Sequence, residues 1–218
     1  MLLLVDLDNT LVDRTSAFSR WARGFVQGLG RAPHDAEWLI TADCDGYASR
    51  SVLAEKMKYR FGIRQSNDTL VQTLLFDHVG LMTMEADNLA ALSAARQAGC
   101  RIGLVTNGTV AQQTRKVHEL GLGPYVDAVV ISDDVGTSKP ARRIFEVAAH
   151  RLNASLDDGG WMVGDHPKAD IAGGRSAGLQ TGWVSRGRSW PSGEAPPTMT
   201  GDTPAQVIDA VVRSRQAL

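Results

Sequence analysis

Residues 2–13, with the sequence LLLVDLDNTLVD, decide the fold of this chain. The four apolar residues at its start are too few for a helix, and a short apolar run of this kind predicts a buried central strand of a parallel sheet. Two carboxylates, Asp6 and Asp8, follow directly. Because alternate residues of an extended chain face the same side, we expect both carboxylates to face one crevice beyond the end of the strand.

Two neighbouring carboxylates repel each other unless a cation or a proton lies between them. The pair therefore indicates a Mg²⁺ site in which one of the two aspartates is also a nucleophile. The alternative is purely structural, because Asp and Asn also favour the turns that close a strand.

The composition is that of an ordinary globular protein. The chain has 218 residues, of which 43% are hydrophobic and 22% charged, and its net charge is −1. This length allows one large domain or one domain with a sizeable insert, and the charge predicts neither a nucleic-acid partner nor a membrane-surface partner. The absence of a basic leader, and of any apolar run approaching the roughly 18 residues of a membrane span, predicts a cytoplasmic protein.

A block of helices follows the first strand. Apolar residues at helical spacing predict helices over residues 16–28, 35–42, 49–61 and 68–81, with no strand between them. Such a block interrupts the βα alternation of a parallel sheet. We therefore predict a helical cap over residues 15–84, inserted into a core formed by residues 1–14 and 85–218.

The βα alternation resumes after the insert. Strands are predicted over residues 101–105, 128–131, 161–163 and 181–184, with helices between them. Residues 185–203 are rich in Pro, Gly and Ser and are predicted to be a surface loop, before a last helix that Thr203 caps. The fold class is therefore α/β, a doubly wound parallel sheet with an inserted α-helical domain.

Polar residues follow several of the predicted strands. In a doubly wound sheet the carboxyl ends of the strands open onto one edge, so residues distant in sequence are expected to meet there. They are Asp6 and Asp8, Thr106 and Asn107, Lys139, and Asp165 with Asp170.

These residue types match the needs of phosphoryl transfer through an aspartate. Asp6 would attack phosphorus and, with Asp165, hold Mg²⁺, a cation that prefers oxygen ligands. Thr106 and Lys139 would bind the phosphoryl oxygens, and Asn107 is included with them. Asp8 would protonate the leaving alcohol and then activate water.

Four segments of this chain resemble the four signature motifs of the haloacid dehalogenase (HAD) superfamily. They are DLDNT at 6–10, TNG at 106–108, SKP at 138–140 and GDHPKAD at 164–170. Their order and spacing span the chain, and the helical block lies where the first cap type of that family is inserted. The resemblance implies a Rossmann-like core, a mobile cap, Mg²⁺ dependence and a phosphoaspartate on Asp6.

The resemblance also implies two finer roles. The main-chain carbonyl of Asp8, rather than its side chain, would bind the metal, and Asp170 would orient Lys139 or the surroundings of the metal. Each motif keeps a structural alternative when taken alone: TNG is a plausible turn, Lys139 a solvated residue at a helix start, and Asp165 a helix N-cap. His166 is interpreted as a residue that sets the turn.

The cap is expected to select the substrate. Among its charged and aromatic residues, most of which are interpreted as solvated charges or core aromatics, Arg50 is chosen as the contact to the substrate. It follows a glycine-containing loop between two helices. The expected partner is a small-molecule phosphate ester, and neither its identity nor the oligomeric state follows from the sequence.

Other functions use similar residues. Dehalogenases of the superfamily also attack with the first aspartate but do not need an acid at the position of Asp8, whereas a phosphomutase needs nearly the same residues as a phosphatase. A receiver-type signalling module would be much shorter and would carry its phosphoacceptor on the third strand. A non-catalytic binding protein would lack the nucleophile or the lysine. The interpretation adopted is a Mg²⁺-dependent phosphatase of small phosphorylated metabolites.

Overall fold

The computed structural model describes residues 1–216. Within them the strands are β1 (Leu2–Val5), β2 (Arg101–Thr106), β3 (Ala128–Ile131), β4 (Trp161–Gly164), β5 (Gln180–Val184) and β6 (Met199–Gly201). The α-helices are α1 (Arg14–Gly28), α2 (Pro33–Asp43), α3 (Arg50–Phe61), α4 (Asn67–Phe76), α5 (Ala86–Gln97), α6 (Val110–Glu119), α7 (Ser132–Val135), α8 (Arg142–Arg151), α9 (Gly173–Ser176) and α10 (Pro204–Gln216).

All six strands form one parallel sheet in the order β3-β2-β1-β4-β5-β6. The predicted Rossmann-like α/β fold is confirmed, with β1 at the centre. Val5 at the end of β1 pairs with Leu104 on one side and Val163 on the other. The strand order reverses direction at β1, and the ligand crevice of such sheets lies at this switch point.

The sheet is held by apolar packing on its faces. Side chains of β1 and β4, such as Leu4 and Met162, share one cluster with Ile144 and Phe145 of α8, and all four are fully buried. Helices α5 and α10 pack against each other, and α10 also packs on β4 and β5. Because both faces are covered, the strands are apolar runs rather than alternating ones.

The chain divides into two compact units. One consists of residues Met1–Val12 together with the chain from Met84 onward, and it holds the sheet. The other, Asp13–Thr83, is helical and has its own core around Phe18, Leu39 and Leu70, which are 1% exposed or less. The assignment of this helical unit as a cap remains a prediction.

Three details differ from the sequence-based expectation. Residues 185–203 are not loop throughout, because they contain β6, a three-residue edge strand. The helix expected over 68–81 ends at Phe76 and is followed by a 3₁₀ turn at Val79–Leu81. The helix expected between the strands at 161–163 and 181–184, near residues 169–176, begins as a π-helical turn, Pro167–Ala172, before α9. Among the described helices, none is both long and apolar enough to cross a bilayer.

Candidate active site

The carboxyl ends of β1 and β4 bring two aspartates to the switch point of the sheet. The backbone N–H of Asp6 donates to the carbonyl of Val163, with 2.9 Å between nitrogen and oxygen, which extends the β1–β4 pairing by one residue. Asp165 directly follows Gly164 at the end of β4. Both aspartates are buried, so their charges depend on partners within the protein.

Lys139 is the buried cation of this site. Its Nζ atom lies 2.6 Å from Oδ1 of Asp6, 2.7 Å from Oδ1 of Asp170 and 2.8 Å from the carbonyl oxygen of Val105. Lys139 donates hydrogen bonds to Asp6 and to the carbonyl oxygen of Val105, and its contact with Asp170 is an ion pair. Burial alone would lower the pKa of Lys139, but the two carboxylates raise it above its usual value, so the lysine is charged.

The carboxylates outnumber this lysine. Oxygens of Asp6, Asp165 and Asp170 lie within 4.8 Å of one another, and all three residues are buried. Burial raises the pKa of Asp6 to about 8, and the neighbouring acids add to this rise while Lys139 opposes it. Burial also raises the pKa of Asp165 to about 6, with Asp170 adding to the rise and Arg188 opposing it.

This donor set fits a magnesium ion. Oxygen ligands at close quarters are what a hard divalent cation requires. Burial disfavours the charged forms of Asp6 and Asp165 and raises their pKa values, and an added cation would favour the charged forms.

Thr10 adds a hydroxyl group to the acid cluster. Its Oγ1 lies 3.0 Å from Oδ2 of Asp6 and 3.4 Å from Oδ1 of Asp165, so it bridges the ends of β1 and β4. Thr10 belongs to the first motif, but no role is predicted for it from the sequence. The sequence signal for a role of Thr10 is a hydroxyl side chain four residues after Asp6.

Asp8 is bound by one face of α6. The Nζ atom of Lys116 lies 2.8 and 2.6 Å from the two carboxylate oxygens of Asp8, and Nε2 of Gln113 donates to Oδ2 at 3.1 Å. Sequence reasoning missed Lys116 and Gln113. Polar residues on a helix are usually interpreted as solvated, so the sequence carries no clear signal for them; the structure shows that α6 buries Gln112, Gln113 and Lys116.

The second and third motifs are tied together by Asn107. Its side-chain amide donates to the carbonyl oxygen of Lys139 at 3.1 Å and accepts from the backbone N–H of Lys139 at 2.9 Å. Thr106 is buried at the end of β2. The amide of Asn107 thus fixes the backbone that carries Lys139, and direct phosphate binding by Asn107 and Thr106 stays a prediction.

Asp170 is oriented by two contacts. Besides its ion pair with Lys139, its Oδ2 accepts a hydrogen bond from the backbone N–H of His166 at 2.9 Å. The ring of His166 in turn accepts from the backbone N–H groups of Lys168 and Ala169 through Nδ1. Burial lowers the pKa of His166, which suits a ring nitrogen that accepts hydrogen bonds.

The segment after β5 contributes two arginines that the sequence analysis assigned to a surface loop. Nη2 of Arg188 lies 3.0 Å from Oδ2 of Asp165, and Arg186 donates to the main-chain carbonyls of Asn9 and Thr10. Trp183 of β5 donates from Nε1 to the carbonyl oxygen of Asp165 at 2.8 Å. Like the other site residues, the two arginines follow the carboxyl end of a strand, here β5.

Arg50 belongs to the helical unit and takes part in an ion-pair network there. Its Nη1 lies 2.6 Å from Oδ1 of Asp43, and Arg14 binds both oxygens of the same buried carboxylate, Oδ2 through Nη1 and Oδ1 through Nη2. Burial would raise the pKa of Asp43, but hydrogen bonds and charge from the two arginines hold it below its usual value. A substrate contact by Arg50 stays a prediction.

Comparison with known proteins agrees with this architecture. The family model described as haloacid dehalogenase-like hydrolase matches residues 1–178. A glyceraldehyde 3-phosphate phosphatase of Pyrococcus abyssi is 33% identical over 205 residues, which cover 85% of this chain and 82% of that protein. The pyrimidine 5'-nucleotidase YjjG of Escherichia coli is 38% identical over 107 residues, which cover 49% of this chain and 48% of YjjG.

Among solved structures, the HAD-hydrolase YfnB of Bacillus subtilis, bound to magnesium, aligns with a TM-score of 0.77 at 22% identity. The alignment covers 96% of this chain and 97% of that one, and it shows the fold. The chain spans about half the length of several curated relatives that it matches, YjjG among them. The chain belongs to the haloacid dehalogenase-like hydrolase family, as its motifs predicted.

Proposed function

We propose that the protein is a Mg²⁺-dependent phosphatase that hydrolyses a small phosphate ester through an aspartyl phosphate on Asp6. The observation that carries this proposal is the buried group of Asp6, Lys139, Asp165 and Asp170 at the switch point of the sheet. It combines a nucleophile, a fixed positive charge and a surplus of carboxylates, as phosphoryl transfer through an aspartate requires.

Asp6, Asp165 and the main-chain carbonyl of Asp8 would hold the magnesium ion. When bound, the ion supplies positive charge that offsets the charge of the carboxylates and of the phosphoryl group. The structure of YfnB, which shares this fold, is bound to magnesium and so supports the assignment.

The reaction on this chain's own residues has two steps. In the first, a carboxylate oxygen of Asp6 attacks phosphorus, the bond from phosphorus to the ester oxygen breaks, and Asp8 gives that oxygen a proton. In the second, water attacks the phosphorus of the aspartyl phosphate, Asp8 takes a proton from the water, and inorganic phosphate leaves with Asp6 restored.

Two residues would bind the phosphoryl group during both steps. Lys139 holds a positive charge 2.6 Å from Asp6, so a phosphoryl group joined to Asp6 would lie beside it. Thr106, buried at the end of the neighbouring strand, would donate its hydroxyl hydrogen to a phosphoryl oxygen. Because Asp170 holds Lys139 from its other side, the lysine would keep its place while the charge on Asp6 changes.

The substrate class is a small phosphorylated metabolite. The matched relatives include phosphatases named for glyceraldehyde 3-phosphate and for pyrimidine nucleotides, whose shared feature is a phosphate monoester on a small molecule. Within this class, Arg50 of the helical unit remains the proposed contact to the part of the substrate beyond the phosphate.

A panel of phosphate monoesters tests the function. We expect phosphate release from at least one sugar, nucleotide or short-chain phosphate with Mg²⁺, none with EDTA, and release slower by about a thousandfold or more with the Asp6→Asn variant. Release that continues in EDTA, or at the wild-type rate in the variant, would contradict the proposal. Conversion of a sugar phosphate to its isomer without net phosphate release would instead identify a phosphomutase.

A further inference from the structure

Lys116 places a positive charge against Asp8 from within the protein. Its side chain is 2% exposed, and its Nζ atom contacts both carboxylate oxygens of Asp8. Removing an ammonium group from water is costly unless a carboxylate compensates it. A buried lysine is thus held on the residue that the proposed mechanism uses as acid and base.

Gln113 joins the same carboxylate to the second motif. It precedes Lys116 by three residues, so both side chains lie on one face of α6. Its Nε2 donates to Oδ2 of Asp8 and to the carbonyl oxygen of Asn107, each at 3.1 Å. One helix therefore follows the predicted phosphate-binding loop in sequence and also binds the Asp8 side chain.

The fit around Gln113 is tight. A Cβ atom added at Gly108 would overlap the Gln113 amide, and the backbone of Gly108 has a φ of +146°, which side chains rarely allow. The loop after β2 is shaped so that Gln113 can reach both Asp8 and Asn107. The close fit at Gly108 therefore indicates that the two hydrogen bonds of Gln113, to Asp8 and to Asn107, are its role.

We propose that Lys116 and Gln113 are positioning residues that fix the carboxyl group of Asp8 for proton transfer to the leaving alcohol. This inference rests on the proposed function. As the bond from phosphorus to the ester oxygen breaks, its electron pair stays on that oxygen, and Asp8, which carries a proton at that point, gives it to the oxygen. Lys116 stabilises the Asp8 carboxylate that results. Attacking water returns a proton to Asp8 in the second step. A carboxyl group that is already held in one position loses less conformational entropy on reaching the transition state than a mobile one does.

The test is a series of phosphate monoesters whose leaving groups range from nitrophenol to simple alcohols. The value of kcat/KM reports the step in which the leaving group departs. Alcohols need a proton to leave and nitrophenol does not, so loss of proton transfer lowers kcat/KM most for alcohols. We expect Lys116→Met to lower kcat/KM by about 10- to 100-fold for alkyl phosphates and by about threefold or less for nitrophenyl phosphate.

Three further variants make the result decisive. Lys116→Arg keeps the cation and should restore most of the loss. Gln113→Met should give a smaller loss with the same leaving-group pattern, and it provides the test if Lys116→Met does not fold. Arg115→Met removes a half-exposed cation from the same helix, where it pairs with Glu119, and should change nothing.

A double variant asks whether Lys116 acts through Asp8. If it does, adding Lys116→Met to Asp8→Asn should lower kcat/KM no further. Equal losses for all leaving groups, or additive losses in the double variant, would overturn the inference while the phosphatase assignment stands. A wild-type protein that releases no phosphate from any ester would instead overturn the proposed function, and this inference with it.

Discussion

Lys139 and Asp6 form a buried ion pair, with 2.6 Å between Nζ and Oδ1. The lysine is shared with Asp170, so one ammonium group serves two carboxylates while Asp165 lies close by. This arrangement holds the nucleophile, Asp6, beside a positive charge. The cluster as a whole still has more carboxylates than lysines. Both features follow from strands of a parallel sheet that end at one edge.

The first prediction concerns Asp6. Asp6→Asn removes the nucleophile while keeping its size, so turnover should fall by about a thousandfold or more. The protein should remain folded, because the neutral amide of asparagine avoids the free-energy cost of burying a carboxylate charge. The same cost raises the pKa of Asp6. Phosphate release and a thermal melt measure the two effects. Turnover like that of the wild type would refute the nucleophile assignment.

The second prediction concerns Asp170. Asp170→Asn leaves Lys139 with one carboxylate instead of two, so the lysine should be held less firmly and kcat should fall by about 10- to 100-fold. The matched control is Asp134→Asn, which alters a half-exposed acid paired with Arg151. Equal activity in the two variants would show that Asp170 does not support Lys139.

The third prediction concerns Gly164, the last residue of β4. A Cβ atom at this position would overlap the carboxylate of Asp170, which is 1% exposed and has no room to retreat. Gly164→Ala should therefore lower both the free energy of unfolding, by about 1–3 kcal/mol, and the activity. Gly123→Ala meets nothing within 4 Å and serves as the control. Similar melting temperatures for the two variants would contradict the packing described here.

The fourth prediction concerns pH and metal. Burial raises the pKa of Asp6 from 3.8 to about 8 and that of Asp165 from 3.8 to about 6. Between pH 3.8 and about pH 8 the folded protein retains protons that the unfolded chain has released. The contribution of these two groups to the stability of the metal-free protein should thus be greatest below about pH 3.8 and should be lost as pH rises to about 8.

Thermal melts in EDTA at several pH values measure this slope, and Asp6→Asn should flatten it. Mg²⁺ should raise the melting temperature more at pH 8 than at pH 5, because protons compete with the metal for the same carboxylates. An unchanged slope in the variant, or an equal effect of Mg²⁺ at both pH values, would contradict the description of the acid cluster.

The architecture of the core could be predicted because parallel strands impose a simple rule. Short apolar runs marked the central strands, and the residues after them had to meet at one edge. The structure brings Asp6, Lys139, Asp165 and Asp170 into one cluster in this way. The role of each residue in catalysis is still a prediction.

Some site residues could not be predicted, because the sequence gives only weak signals for them. Arg188 lies in a segment whose Pro, Gly and Ser content is typical of a surface loop, and β6 within it has only three residues, too few for a periodic pattern. Lys116 and Gln113 lie on a helix, where polar residues are usually interpreted as solvated. Only the tertiary contact with Asp8, more than 100 residues earlier, shows that this helix face is buried.

Detection of a phosphoryl group on Asp6 tests the proposed aspartyl-phosphate mechanism directly. The Asp8→Asn variant should slow hydrolysis of the aspartyl phosphate, so it is mixed with a substrate and Mg²⁺, quenched in acid and digested for mass spectrometry. We expect one added phosphoryl group on the peptide that contains Asp6, lost when Asp6 is also changed to Asn. A phosphoryl group on another residue, or none while the wild type turns over that substrate, would refute the assignment of Asp6 as the nucleophile.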